Sequence, residues 1–310
     1  MPQEADEQTR AILDAMAASD EPKLHELSVP EAREMLVAAS KPMEIARSEV
    51  GSVKDVPIIY DEGSFSIRLY SPENLATEPC PAIILYHGGG FLLGSVETHD
   101  TMARYLCKNS GRKVFSVEYR LAPEHKFPAG LHDCKQAANW VFENADELNV
   151  DTSKVSLFGD SAGANLCTGV AQLSQLNFQS LVLLYPCCDF SKDAPYPSRK
   201  IYGGGEYFLS MNDMSWILNN YAPNEDAENN SLISPMKCDD FSNWPSTLVI
   251  TAGMDLLRDE GHDFYEKLKK AGVTAEYLTF DGTIHGFVSF GGAIEQGRLC
   301  LDKICQFLAK

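Results

Sequence analysis

Residues 154–166 read KVSLFGDSAGANL, an apolar run that ends in a glycine-flanked serine and passes at once into small residues. The run 154–159 reads as a strand, the residues from about Ala162 onward as a helix, and Ser161 as the turn between them. Small residues at Gly159 and Gly163 let the backbone reverse sharply, which pushes the Ser161 hydroxyl outward, while the start of the helix supplies positive potential. A G-x-S-x-G pentapeptide occurs by chance in many chains. Its meaning here rests on its neighbourhood, because strand, sharp turn and helix is the context that a nucleophilic serine requires.

Working outward, apolar runs of the same kind recur at 82–87, 113–119, 180–186, 246–253 and 274–280, with helical stretches near 98–110, 129–147, 162–175, 257–271 and 293–309. Continuous apolar runs suit strands buried on both faces, so the expected fold class is α/β, with a mostly parallel central sheet and helices on both sides. Ahead of it, VPIIY (56–60) and SFSIRLY (64–70), joined by Asp61, Glu62 and Gly63, read as an antiparallel hairpin. Residues 1–46 read as helical, with Ser28 and Glu31 spaced as a capping box.

One connection breaks the rhythm: about sixty residues separate Pro186 from Ser246. Within it MNDMSWILNNY (211–221) reads as a helix, and DAPYPSRK (193–200) and YGGGEYF (202–208) as loops. The expected organisation is therefore a catalytic α/β core in two parts, 47–186 and 236–310, with the N-terminal helices (1–46) and the insertion 187–235 folding over it as a cap.

The 310 residues carry 26 Lys and Arg against 44 Asp and Glu, a net charge of −18. That balance repels phosphate backbones and anionic lipid, so nucleic acid and a stable membrane association are not expected. No run approaches the roughly 20 apolar residues of a membrane span, and the first residues lack a signal-peptide pattern, which makes a cytoplasmic location the expectation. Nine cysteines, without C-x-x-C or Cys/His spacing, argue against a disulfide frame or a zinc site.

In open α/β sheets functional groups lie just past the carboxyl ends of the strands. HGGGF (87–91) follows a strand, and its bare amides at Gly88, Gly89 and Gly90 are candidates, two of them together with Ala162, to bind a developing oxyanion. A serine needs a base. Of seven histidines only His285 follows a strand in a glycine-flanked loop, DGTIHGF. Asp255, after 246–253, suits the orienting carboxylate; Asp281 is its main rival, while Asp259 and Glu260 fall in a helix's first turn, where acids commonly serve the dipole. Glu118, Arg120 and Glu124 read as structural, as does Asp160, a loop-ordering group that also stands beside any bound substrate. Phe91, Tyr207, Phe208, Met211 and Trp216 are candidate substrate contacts, with core packing within the cap the alternative for those in the insertion.

HGGGFLLG (87–94), YRLAPEHKFPAG (119–130), GDSAGANL (159–166), DLLRDEG (255–261) and IHGF (284–287) occur in one order and spacing over nearly the whole chain. In this the sequence resembles the hormone-sensitive-lipase-like carboxylesterases, the bacterial family IV esterases of the α/β-hydrolase superfamily. The resemblance implies a Ser161, Asp255 and His285 triad, an oxyanion hole from the Gly-rich loop and Ala162, a helical cap, short-chain esters as small-molecule substrates and no cofactor or metal; members of the family frequently form homodimers. Ala164, Glu118, Met254 and Leu256 depart from the family's commonest residues, and none of these departures removes a catalytic group. Alternatives are an amide-directed hydrolase, such as a formamidase or arylamide deacetylase, and a ligand-binding receptor on the same fold.

Overall fold

Eight strands build one sheet in the computed structural model, which describes residues 3–74, 79–222 and 227–310. They are β1 (Ser52–Tyr60), β2 (Gly63–Ser71), β3 (Cys80–Tyr86), β4 (Lys113–Glu118), β5 (Val150–Asp160), β6 (Ser180–Leu184), β7 (Ser246–Ala252) and β8 (Ala275–Phe280). Their spatial order is β1-β2-β4-β3-β5-β6-β7-β8. β1 and β2 pair antiparallel, as do β2 and β4, and every other pair is parallel. Burial follows position: Ile83, Ile84 and Leu85 of β3 are fully buried, whereas β1 at one edge is mostly exposed and β8 at the other has no fully buried residue.

The helices are α1 (Glu7–Ala17), α2 (Val29–Ser40), α3 (Asp100–Ser110), α4 (Ala129–Glu143), α5 (Ala145–Leu148), α6 (Ala162–Leu173), α7 (Pro197–Tyr202), α8 (Met211–Tyr221), α9 (Arg258–Lys270) and α10 (Glu295–Leu308). Ser28 and Glu31 form the expected capping box at the start of α2, the Glu31 carboxylate accepting from Ser28 N at 2.9 Å. The expected helix 129–147 is broken at Asn144, whose backbone leaves the helical region while its side-chain amide donates to Trp140 O at 2.8 Å. Among the described residues no helix is long and apolar enough to cross a membrane. The parts of the proposed cap and first core segment that fall at 1–2, 223–226 and 75–78 lie outside the described residues.

The stretch 193–200 differs from the expected loop. Its second half is helical, because Pro197 at the first helical position is pre-set for the turn and tertiary partners hold the rest of α7. Ser198 N donates to Asp259 Oδ2 at 2.7 Å, and the Arg199 guanidinium donates to Glu260 Oε2 at 2.6 and 3.1 Å. Glu260 is thus more than a dipole partner. It is fully buried and also accepts from Cys188 N at 2.8 Å and Asp189 N at 3.1 Å, pinning both ends of this part of the insertion to the start of α9. Removing one member of such a pair strands the other charge away from water, at a cost of about 3–5 kcal/mol. Arg199→Met is expected to lose that much in denaturant unfolding; an unchanged midpoint would show that Glu260 is not held as an ion.

Candidate active site

Strand register determines which loops meet. Tyr86, the last residue of β3, pairs with Gly159 of β5, so the Gly-rich loop lies beside the turn that carries Ser161. Ala252 of β7 pairs with Phe280 of β8, and Gly253 N donates to Phe280 O while Met254 N donates to Thr283 O at 2.8 Å, which ties the loop of Asp255 to the loop of His285.

Ser161 sits at φ 53° and ψ −117°, a conformation that costs a non-glycine residue about 1–3 kcal/mol. It is held there by Ser161 N donating to Leu184 O at 2.8 Å and by the close approach of its neighbours. A Cβ at Gly163 would lie 1.9 Å from Tyr86 O, and one at Gly159 would lie 2.2 Å from the Gly163 backbone, so neither position has room for a side chain. The Ser161 hydroxyl lies 2.8 Å from His285 Nε2, and His285 Nδ1 lies 2.7 Å from Asp255 Oδ2. The other Asp255 oxygen accepts from Leu257 N at 2.9 Å, and the Tyr185 ring lies 4.8 Å from the imidazole, so both groups are oriented from behind. Asp281, the rival carboxylate, instead accepts from the Gln3 side chain at 3.0 Å.

The three loop glycines are not equivalent. Gly88 N–H is taken, donating to Asp160 Oδ1 at 2.9 Å. Gly88 C=O accepts from His87 Nδ1 at 2.8 Å; because a trans peptide sets C=O and the next N–H antiparallel, Gly89 N–H points the opposite way. Gly89 C=O accepts from Leu92 N at 3.2 Å and Leu93 N at 2.9 Å, which by the same geometry turns Gly90 N–H outward. Gly89 and Gly90 have φ of 117° and 61°, which glycine adopts readily.

Asp160 therefore orders the loop, and does so from a buried cluster. Its Oδ1 also lies 3.1 Å from His99 Nε2, while Thr98 Oγ1 lies 3.0 Å from His99 Nδ1. Burial opposes charge on both partners, but their mutual attraction and hydrogen bond prevail, so the His99 pKa is raised and that of Asp160 is lowered. His87 is the reverse case. Burial, with the nearby His99 charge, pushes it down to about 3, which keeps it neutral and fits its role as an Nδ1–H donor. His99 drew no notice in the sequence because it falls within the expected helix 98–110; the structure places it just before α3, and its partner is sixty-one residues away.

A pocket of about 340 Å³ opens over these groups. Gly88, Gly89, Gly90, Phe91, Asp160, Ser161, Ala162, Phe208 and His285 line it. Its outer wall comes from both expected cap segments, through Met16 and Leu36 on one side and Met214 and Ile217 on the other, with His25 Nδ1 2.7 Å from Asp213 Oδ1 where the two meet. Tyr207, Met211 and Trp216 are not among the lining residues. Helical phase explains two of them: α8 turns Asp213, Met214, Ile217 and Tyr221 inward, leaving Met211, which packs by Gly203, and Trp216 on other faces. Tyr207 meets Tyr202 edge to face at 5.0 Å. Glu118, Arg120 and Glu124 join three separate structural networks, through Val96 N, Asp133 and Arg33.

The raised His99 pKa gives a signed expectation. Stability from such a group is complete below its unfolded-state pKa and is lost as pH rises through the folded value. His99→Ala should cost about 3–5 kcal/mol at weakly acidic pH, with the gap to the parent protein narrowing toward alkaline pH. Denaturant titrations across pH check this, and a gap that does not change with pH would contradict it.

Residues 83–289 match the family model described as alpha/beta hydrolase fold. The arylesterase of Saccharolobus solfataricus is 35% identical over 246 residues, covering 79% of each chain. The ethyl acetate hydrolase of Pseudomonas putida is 31% identical over 282 residues, 88% of this chain and 87% of that one. Among solved structures, the hyperthermophilic esterase from the archaeon Pyrobaculum calidifontis superposes with a TM-score of 0.93 at 38% identity, covering 100% of this chain and 98% of that one. The chain belongs to the α/β-hydrolase superfamily, in its hormone-sensitive-lipase-like carboxylesterase branch.

Proposed function

We propose that the protein is a serine carboxylesterase that cleaves short- to medium-chain esters through an acyl-enzyme. The observation that carries this reading is the unbroken line from Ser161 Oγ through His285 to Asp255, at 2.8 and 2.7 Å, opening onto an apolar pocket. In this mechanism His285 Nε2 takes the Ser161 proton as Oγ attacks the ester carbonyl, and Asp255 stabilises the imidazolium. The carbonyl oxygen, now negative, accepts from the N–H groups of Gly89, Gly90 and Ala162; Gly88, committed to Asp160, takes no part. His285 returns its proton to the leaving alcohol as the C–O bond breaks. Water then attacks the acyl-enzyme with the same base and releases the acid.

Methionines in the outer wall, Met16, Met35, Met43 and Met214, adapt to varied apolar chains and favour breadth over a single fitted substrate. The cap boundaries at 1–46 and 187–235 belong to the same proposal, since both segments supply wall residues. Ser161→Ala should lower kcat/KM on an aryl acetate by roughly 10⁴-fold or more. A panel of aryl esters from acetyl to dodecanoyl should decline steeply beyond medium chains, with the matching anilides turned over far more slowly. Equal rates for Ser161→Ala and the parent protein would refute the triad, and anilides outpacing esters would make the protein an amide-directed hydrolase.

A further inference from the structure

Arg33 lies on α2 beside two pocket-lining residues, Met35 and Leu36, yet is not itself among them. Its guanidinium instead reaches the turn beneath the Gly-rich loop. Nε donates to Leu92 O at 2.8 Å, Nη2 donates to Ala122 O at 3.0 Å, and the two terminal nitrogens each lie 2.8 Å from a Glu124 carboxylate oxygen. These are the residues that hold the oxyanion loop in place. Leu92 N is one of the two donors to Gly89 C=O, and Ala122 N donates to Phe91 O at 3.0 Å. Phe91 in turn stacks on Tyr221 at 3.9 Å, so the far side of the turn is packed against α8.

Magnitude argues against a role in stability alone. The Arg33 and Glu124 side chains are 30% and 52% exposed, and an ion pair so wet contributes at most about 1 kcal/mol. What distinguishes the arrangement is geometry, because only a planar five-donor fork meets two carbonyls and a carboxylate at once; a lysine ammonium is a single point. Glu124 orients the fork, and the fork fixes two carbonyls on adjoining loops.

We propose that Arg33 is a positioning residue for the oxyanion hole, and that through it the seating of the N-terminal cap helix sets the direction of the Gly90 N–H. The proposal rests on the esterase reading above. Because an oxyanion donor acts on the transition state, misdirecting it lowers kcat and leaves ground-state binding of a small ester largely alone.

The test compares Arg33→Lys, Arg33→Ala and Glu124→Ala on an aryl acetate and an aryl hexanoate, with thermal melting to establish folding and Ser161→Ala as the blank. Outright loss of an oxyanion donor costs about 10²–10³-fold, so a displaced one should cost about tenfold in kcat. Both Arg33 variants are expected to show that loss on the two esters alike, with KM within about threefold, while Glu124→Ala, which keeps both carbonyl contacts, loses less than about threefold. Arg33→Lys retains the charge, so it keeps the proposal testable should Arg33→Ala not fold. A folded Arg33→Lys with kcat within about twofold of the parent protein would overturn the proposal. So would a loss confined to KM or to the hexanoate, which would make Arg33 a support for the cap wall alone. An active Ser161→Ala blank would instead remove the esterase reading, and this proposal with it.

Discussion

The turn between β5 and α6 is the constraint from which the rest of the site follows. A serine at positive φ is unfavourable by itself and persists only where its surroundings permit nothing else. Here Leu184 O holds the Ser161 N–H, and the Tyr86 carbonyl occupies the space that any side chain at position 163 would need. The same closeness that excludes a Cβ brings β3 and its Gly-rich loop against the serine. Ser161 and the proposed oxyanion donors are thus placed by one packing contact between two neighbouring strands.

Asp160 makes that contact directional. Standing next to Ser161 in sequence, it reaches across to the Gly88 N–H and is kept ionised in the interior by His99. Sealing the first glycine amide commits the two peptide planes that follow, each fixed through its own carbonyl. Arg33 is the outer counterpart in this arrangement, gripping the turn from the solvent side where Asp160 grips it from within. The loop is bare of side chains, and both sets of contacts work on its backbone.

The sheet was legible in the sequence because central strands are buried on both faces and read as unbroken apolar runs, which Ile83, Ile84 and Leu85 illustrate. The strand-end rule pointed to His285 and left Asp255 and Asp281 as competing carboxylates, which only the folded geometry separates: Asp255 lies 2.7 Å from His285 Nδ1, whereas Asp281 accepts from Gln3. What escaped is what depends on contacts distant in sequence. No local signal separates Gly88 from Gly89 and Gly90, since the difference is a carboxylate 72 residues away. The six-residue helix α7 is similarly held by Asp259 and Glu260 on α9. Along α8 the apolar Met211 and Trp216 resemble the pocket-lining Met214 and Ile217 in residue type, so the sequence does not say which of them meets the pocket.

The proposed chemistry depends on a convergence: a serine oxygen activated by His285 at the focus of the Gly89, Gly90 and Ala162 amides. The most direct measurement is a crystal structure of the protein after reaction with an alkyl phosphonate, whose tetrahedral phosphorus imitates the transition state. Phosphorus is expected to be bonded to Ser161 Oγ, with one phosphoryl oxygen within hydrogen-bond distance of those three nitrogens and Gly88 N still on Asp160. A phosphoryl oxygen bound by Gly88 N, or pointing away from the loop, would contradict it.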